Sequence, residues 1–173
     1  MYEKFGQFID GKWQKSEKGE TYDVINPATE EVLGKASKAS ENDVNKALKS
    51  AEKGLEVWRK TPPWERAKII RKIADLMRER TEVLAKWLTL EVGKPLAEAA
   101  GEVGGAADIF EWNSEETKRI YGQIVESRFE NTRMFIKYEP VGVVAALIPW
   151  NFPIVLASRK ISTALAAGCS VIC

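Results

Sequence analysis

Apolar and polar positions divide the chain into short strand-like pieces, a long helical stretch, and a return to apolar strand. Gln7-Phe8-Ile9-Asp10-Gly11-Lys12-Trp13 predicts strand, tight turn and strand, because Asp-Gly accepts the positive φ of a two-residue hairpin. A second pair of strands, 22–25 and 32–34, flanks the turn Asn26-Pro27-Ala28-Thr29. Helical spacing then takes over. Ser40 with Asp43 has the form of a capping box, and Val44, Ala47, Leu48, Ala51, Leu55 and Trp58 recur at intervals of three and four. After Pro62-Pro63, the positions Ala67, Ile70, Ile73, Ala74 and Met77 trace a second apolar stripe. Val83, Leu84, Trp87 and Leu88 trace a third.

Gly93 followed by Pro95 predicts a helix stop and a restart, since glycine tolerates the left-handed cap and proline suits a first helical turn. The next helix is expected over 95–121. Gly101, Gly104 and Gly105 lie inside it, each costing about 1 kcal/mol relative to alanine, so close helix packing is expected there in compensation. The run does not match GxGxxG, and Gly93-Lys94 lacks the Walker spacing, which argues against a phosphate loop. Residues 123–129 and 132–138 predict a hairpin around Glu130-Asn131, with one face left for water or a partner.

Composition changes after Pro140. Residues 140–173 hold two charges, Arg159 and Lys160, and are expected to be the most buried part of the chain. The continuous apolar run 141–148 has the pattern of a parallel strand covered on both faces. Pro153 then starts a helix ending at Gly168, and Ser170-Val171-Ile172-Cys173 begins another strand, which makes a βαβ unit. The uncharged stretch 141–157 approaches a membrane span in length, but Pro149, Asn151 and Pro153 interrupt it, and no membrane role is expected.

The 173 residues have room for one core. Lys and Arg number 26 against 25 Asp and Glu, a balance that gives no support to a nucleic-acid or anionic-membrane partner. Histidine is absent, so neither a Ser-His-Asp triad nor a His-based metal site can be built from these residues, and no metal is expected. Cys169 and Cys173 lie four apart, which is neither a CxxC pair nor a zinc set, and a reducing, cytoplasmic setting is expected. The start Met1-Tyr2-Glu3-Lys4-Phe5 lacks the basic and apolar regions of a signal peptide.

In open α/β sheets, ligands bind beyond the carboxyl ends of strands, where this chain places Pro149-Trp150-Asn151-Phe152-Pro153. Two prolines restrict the backbone around one amide. Asn151 there reads either as the cap of the following helix or as a preorganised donor toward a developing oxyanion.

Glu139-Pro140-Val141-Gly142-Val143-Val144, Ile148-Pro149-Trp150-Asn151-Phe152-Pro153 and Ala164-Leu165-Ala166-Ala167-Gly168-Cys169 together resemble the NAD(P)-dependent aldehyde dehydrogenase superfamily. The resemblance extends upstream through Gly11-Lys12-Trp13, Asn26-Pro27-Ala28-Thr29, Glu91-Val92-Gly93-Lys94-Pro95 and the run from Glu115 to Gly122. Phe110-Glu111-Trp112 with that last run is most similar to succinate-semialdehyde dehydrogenases. The resemblance implies the α/β N-terminal part of that fold: hairpins and helices over 1–122, a bridging and oligomerisation hairpin over 123–139, and the first, truncated βαβ unit of a Rossmann-like sheet over 140–173.

In that family a cysteine thiolate attacks the aldehyde, hydride passes to NAD or NADP, and a glutamate assists hydrolysis of the thioester. The resemblance makes Asn151 the side-chain half of the oxyanion hole and sets Leu147, Ile148, Pro149, Trp150 and Asn151 along the nicotinamide-ribose side of the cofactor. Arg159, about 9 Å along the helix from Pro153, shares a strip with Val155, Ser162 and Ala166. It is either a fork for the distal carboxylate of a semialdehyde or one half of a structural ion pair. Neither cysteine matches the family nucleophile, and both are expected to be core or strand residues.

The catalytic cysteine, the general-base glutamate and the glycine-rich cofactor turn have no match here. The chain alone is therefore expected to be inactive and to act with a small aldehyde substrate only alongside the remainder of the enzyme chain or sister subunits, as a homo-oligomer. The alternative from another class is a non-catalytic interaction module that docks onto an intact relative through its open strand edges.

Overall fold

The structure is a computed structural model that describes residues 6–173; the N-terminal residues of the signal-peptide argument lie outside them. β1 (Gln7–Ile9) and β2 (Lys12–Gln14) pair antiparallel around Asp10 and Gly11, both at positive φ, 55° and 74°. That is the geometry the Asp-Gly turn predicts. Phe8 and Trp13 sit opposite each other with ring centroids 5.1 Å apart, the cross-strand aromatic contact that favours this register. β3 (Thr21–Ile25) and β4 (Val32–Ser37) form a second antiparallel pair, and the intervening turn is held by the Asn26 side chain, which accepts from the Ala28 amide at 2.9 Å.

α1 (Glu41–Trp58) begins with the expected capping box of Ser40 and Asp43. The Asp43 carboxylate is buried and also ties the helix to the hairpins, accepting from the Ser16 hydroxyl at 3.0 Å and the Glu17 amide at 3.2 Å. The amide of Ser40, then the Ser40 and Ser16 hydroxyls and the Glu17 amide, hold its carboxyl well below the usual carboxylate range against the opposing effect of burial. A depressed folded pKa gives stability that is complete above the unfolded value, about 3.9, and is lost as pH falls from there toward the folded value. Urea midpoints taken from pH 6 down to pH 3 should therefore fall more in the wild type than in Asp43→Asn. Equal losses in the two would show that this carboxylate does not carry the acid sensitivity.

α2 (Pro63–Glu79), α4 (Leu96–Glu116) and α5 (Pro153–Ala166) pack into the main core. Ile70 and Ala74 of α2 meet Ala107 and Phe110 of α4 and Ala166 of α5, with Trp58, Ile73, Met77, Ile161 and Leu165 around them. The end of α5 is tied down from outside: Trp58 Nε1 donates to the Leu165 carbonyl at 2.8 Å, and the buried Arg66 reaches the Ala166 carbonyl at 3.5 Å. Trp58 thus adds to the Gly168 amide, which donates to the Leu165 carbonyl at 3.0 Å, and Arg66 reaches a carbonyl of the last helical turn. A smaller core joins Ala85 and Leu88 of α3 (Thr81–Val92) to Ala99 of α4, flanked by Val92, Ala100 and Ile154. Of the stripe expected there, Leu88 is buried and Leu84 and Trp87 are half-buried, whereas Val83 is 59% exposed, turned away from the face that carries Ala85 and Leu88.

α3 stops at Gly93 in the left-handed conformation, φ 76°, as the Gly-x-Pro signal predicts. A Cβ there would lie 2.9 Å from the Pro27 ring, so the glycine also lets the α3–α4 connection press against the β3–β4 turn. α4 ends at Glu116, short of 121, and closes in a 3-10 turn, Thr117–Arg119, where the buried Thr117 hydroxyl donates to the Asn113 carbonyl at 2.7 Å. The expectation of close packing at its glycines holds only for Gly105, whose Cβ position lies 3.9 Å from Val155 of α5. Gly101 and Gly104 face open space.

β5 (Gln123–Glu126) and β6 (Arg133–Ile136) form the expected hairpin, with every residue of β6 exposed. β7 (Val143–Ala145) and β8 (Ser170–Ile172) pair parallel, joined by α5, and the Ala146 amide extends the ladder to the Ile172 carbonyl at 2.8 Å. The tail is less covered than its composition implies: Val141 is 92% exposed, and the strand expected over 141–148 is only three residues long. Each strand of this sheet has a single neighbour among the described residues, so apolar side chains beyond that contact remain in water. Among the described residues no helix is long and apolar enough to cross a membrane.

Candidate functional site

The loop from β7 to α5 runs beyond the carboxyl end of a parallel strand, where an open α/β sheet presents its ligand site. Leu147 and Trp150 are each 79% exposed, Pro149 and Asn151 are also exposed, and Ile148 is half-buried. Residues 147–153 contain no charge, so the loop offers an apolar wall interrupted by one carboxamide.

Asn151 does not cap α5, which corrects one of the two readings left open by spacing. The residue at the cap position is Phe152, it offers no side-chain acceptor, and Pro153 occupies the first helical position. The free amides are served instead by Glu102, from the middle of α4, whose Oε1 accepts from Ile154 at 3.0 Å and Val155 at 3.2 Å. Among the described residues, the Asn151 carboxamide has no hydrogen-bond partner; only its backbone carbonyl is engaged, by Lys94 Nζ at 3.3 Å. Lys94 also pairs with Glu102 Oε2 and stands 3.7 Å from the centroid of the Phe152 ring. A second lysine, Lys160, donates to the Leu147 carbonyl at the other end of the loop.

Arg159 lies on the exposed side of α5, and its carbonyl accepts from the Thr163 hydroxyl at 2.7 Å. Its strip partners part from it: Ser162 is buried, bonded to Asn113 at 2.9 Å, and Ala166 belongs to the main core. No carboxylate among the described residues forms an ion pair with Arg159, so the structural-pair reading finds no partner here. Cys169 is a buried free thiol, as expected of a core residue, whereas Cys173 is exposed just past β8. Among the described residues there is no group of three or more His, Cys, Asp or Glu placed to hold a metal ion.

Lys94 and Glu102 were not singled out from sequence. Glu102 stands three residues after Ala99 and four before Ala106, both fully buried, so a carboxylate on the buried face of α4 was the available signal. A cleft of about 920 Å³ opens at the Leu147 end of the loop, between β1, α1 and the β7–β8 pair, and is lined by Phe8, Val44, Leu147 and Val171 among others. Val44, which lines it, and Leu48 of the same α1 stripe are exposed, where that stripe was expected to be covered.

A model of the aldehyde dehydrogenase family matches residues 13–173. The chain is 42% identical over 165 residues to a glutarate-semialdehyde dehydrogenase of Pseudomonas aeruginosa, covering 95% of this chain and 34% of that protein. It is 43% identical over 164 residues to an NADP(+) succinate-semialdehyde dehydrogenase of Escherichia coli, with the same coverage. Among solved structures, an NADP-dependent enzyme of Escherichia coli superposes with a TM-score of 0.94 at 42% identity, covering 98% of this chain and 36% of that one. A betaine aldehyde dehydrogenase of Staphylococcus aureus in complex with NAD+ gives 0.92 at 36% identity, covering 96% and 34%. The chain spans about a third of the length of the curated relatives it matches. With this agreement in sequence along nearly its whole length and in backbone course, the chain belongs to the aldehyde dehydrogenase family.

Proposed function

We propose that this chain is the N-terminal part of an NAD(P)-dependent dehydrogenase that oxidises a semialdehyde of the succinate or glutarate type to its acid. The observation that carries the reading is the exposed, unpaired Asn151 carboxamide, set beyond a parallel strand in a loop whose flanking groups are held by Lys94 and Glu102. As the aldehyde carbon is attacked, its oxygen gains negative charge. A carboxamide N–H already in place stabilises that charge without reorganising at the moment of reaction.

The apolar surfaces of Leu147, Ile148, Pro149 and Trp150 fit the nicotinamide-ribose side of NAD or NADP, and the loop offers no charge suited to its phosphates. The bound cofactor supplies the hydride acceptor. The residues of this chain supply one wall and one donor, while the nucleophilic cysteine and the base glutamate come from the remainder of the enzyme. Ile124 and Phe135 of the β5–β6 hairpin, 72% and 71% exposed, suit contact with that remainder or with sister subunits of a homo-oligomer. Two unpaired thiols suit a cytoplasmic setting.

Arg159 is the proposed fork for the distal carboxylate. Arg159→Ala in the full-length enzyme is expected to raise KM for succinate semialdehyde roughly tenfold, the loss of one charge-assisted contact, with little change for an uncharged aldehyde of the same length. Equal changes for both substrates would remove this role.

A further inference from the structure

Asn151 is exposed, yet its loop is fixed by the most deeply buried ion pair among the described residues. The Glu102 and Lys94 side chains are 1% and 9% exposed, whereas every other ion pair there joins two side chains that are each at least 21% exposed. Burying charge at this depth is costly unless each donor and acceptor is matched. Here they are matched on the loop. One Glu102 oxygen accepts the Ile154 and Val155 amides at the start of α5, and the other accepts from Lys94. Lys94 directs its remaining donor capacity to the Asn151 carbonyl at 3.3 Å and lies against the Phe152 ring.

The elements that aim these side chains are rigid. Lys94 stands between the left-handed Gly93 and Pro95, and Glu102 lies between Ala99 and Val103, each fully buried. The carboxylate also meets α5 at its positive end, where no side chain of the loop itself serves as cap.

We propose that Lys94 and Glu102 are positioning residues for the 149–153 loop. Glu102 fixes the start of α5, and Lys94 fixes the Asn151 peptide and Phe152, so that the Asn151 carboxamide is preorganised before any oxyanion forms. This rests on the dehydrogenase reading only for its use; the positioning itself is a property of the chain.

The test compares amide hydrogen exchange and side-chain 15N relaxation of Asn151 in the full-length enzyme that carries this segment and in three variants of it. Glu102→Gln keeps an oxygen for the Ile154 and Val155 amides but loses the charge that holds Lys94, and Lys94→Met removes the other partner. Both are expected to leave those two amides protected while the Asn151 carboxamide becomes more mobile. Glu102→Leu is expected to raise exchange at Ile154 and Val155 roughly tenfold or more, with Ile70 and Ala74 of the core unchanged.

Unaltered Asn151 mobility in Lys94→Met and Glu102→Gln would overturn the proposal. So would loss of protection spread evenly through α2 and α4, which would make the pair a general strut. None of these readouts involves turnover, so they stand or fall separately from the effect of Asn151→Ala on kcat.

Discussion

Asn151→Ala, introduced into the full-length dehydrogenase that carries this segment, is expected to lower kcat by about 10²–10³, the loss typical of a single oxyanion donor. The effect should fall on kcat more than on KM, because the ground-state carbonyl carries little of the charge that the carboxamide is placed to meet. On the proposed reading, Pro149, Pro153 and the two buried charges behind the loop give Asn151 its value as a donor, since a donor that must first be ordered contributes less. Asn151→Asp keeps the shape but turns the donor into a negative acceptor, and should be at least as damaging. A variant with alanine at this position and unchanged kcat would end the oxyanion assignment.

Phe110→Ala is expected to destabilise the chain by about 3–5 kcal/mol, because a large ring is removed where α2, α4 and α5 meet. Its neighbours there, Ile70, Ala74, Ala107 and Ala166, are all buried, and the alanines have no reach with which to refill the space. Against a typical total of about 5–15 kcal/mol this removes much of the stability. Phe135→Ala is the control: that ring is 71% exposed on β6, and the change expected in the isolated chain is within about 0.5 kcal/mol. Urea unfolding of both variants checks this, and similar losses would mean that the core does not lie where α2, α4 and α5 meet.

Features held by near neighbours were legible in the sequence. The Asp10-Gly11 turn, the Ser40 and Asp43 box and the Gly93 stop each depend on residues within a few positions of one another, so the residue types alone specify the backbone. What holds the site is not local. Glu102 reaches an amide 52 residues ahead and Lys94 a carbonyl 57 residues ahead, contacts that no periodicity encodes.

The same limit explains the tail. Its lack of charge showed what favours burial, but Leu147 and Trp150 stay exposed because no described element covers them. Asn151 lies in the loop that its flanking prolines predict, but the amides at the start of α5 are served by Glu102, 52 and 53 residues earlier in the chain, which no local pattern around Asn151 encodes.

The central claim is that these residues work as one part of a larger dehydrogenase, and the intact mass of the native polypeptide that carries them tests it most directly. Since the matched region is 34% of its relatives, the account predicts a mass roughly three times the 19.4 kDa of this chain. A native polypeptide of 19.4 kDa would contradict it, because the donor at Asn151 would then have no nucleophile to serve.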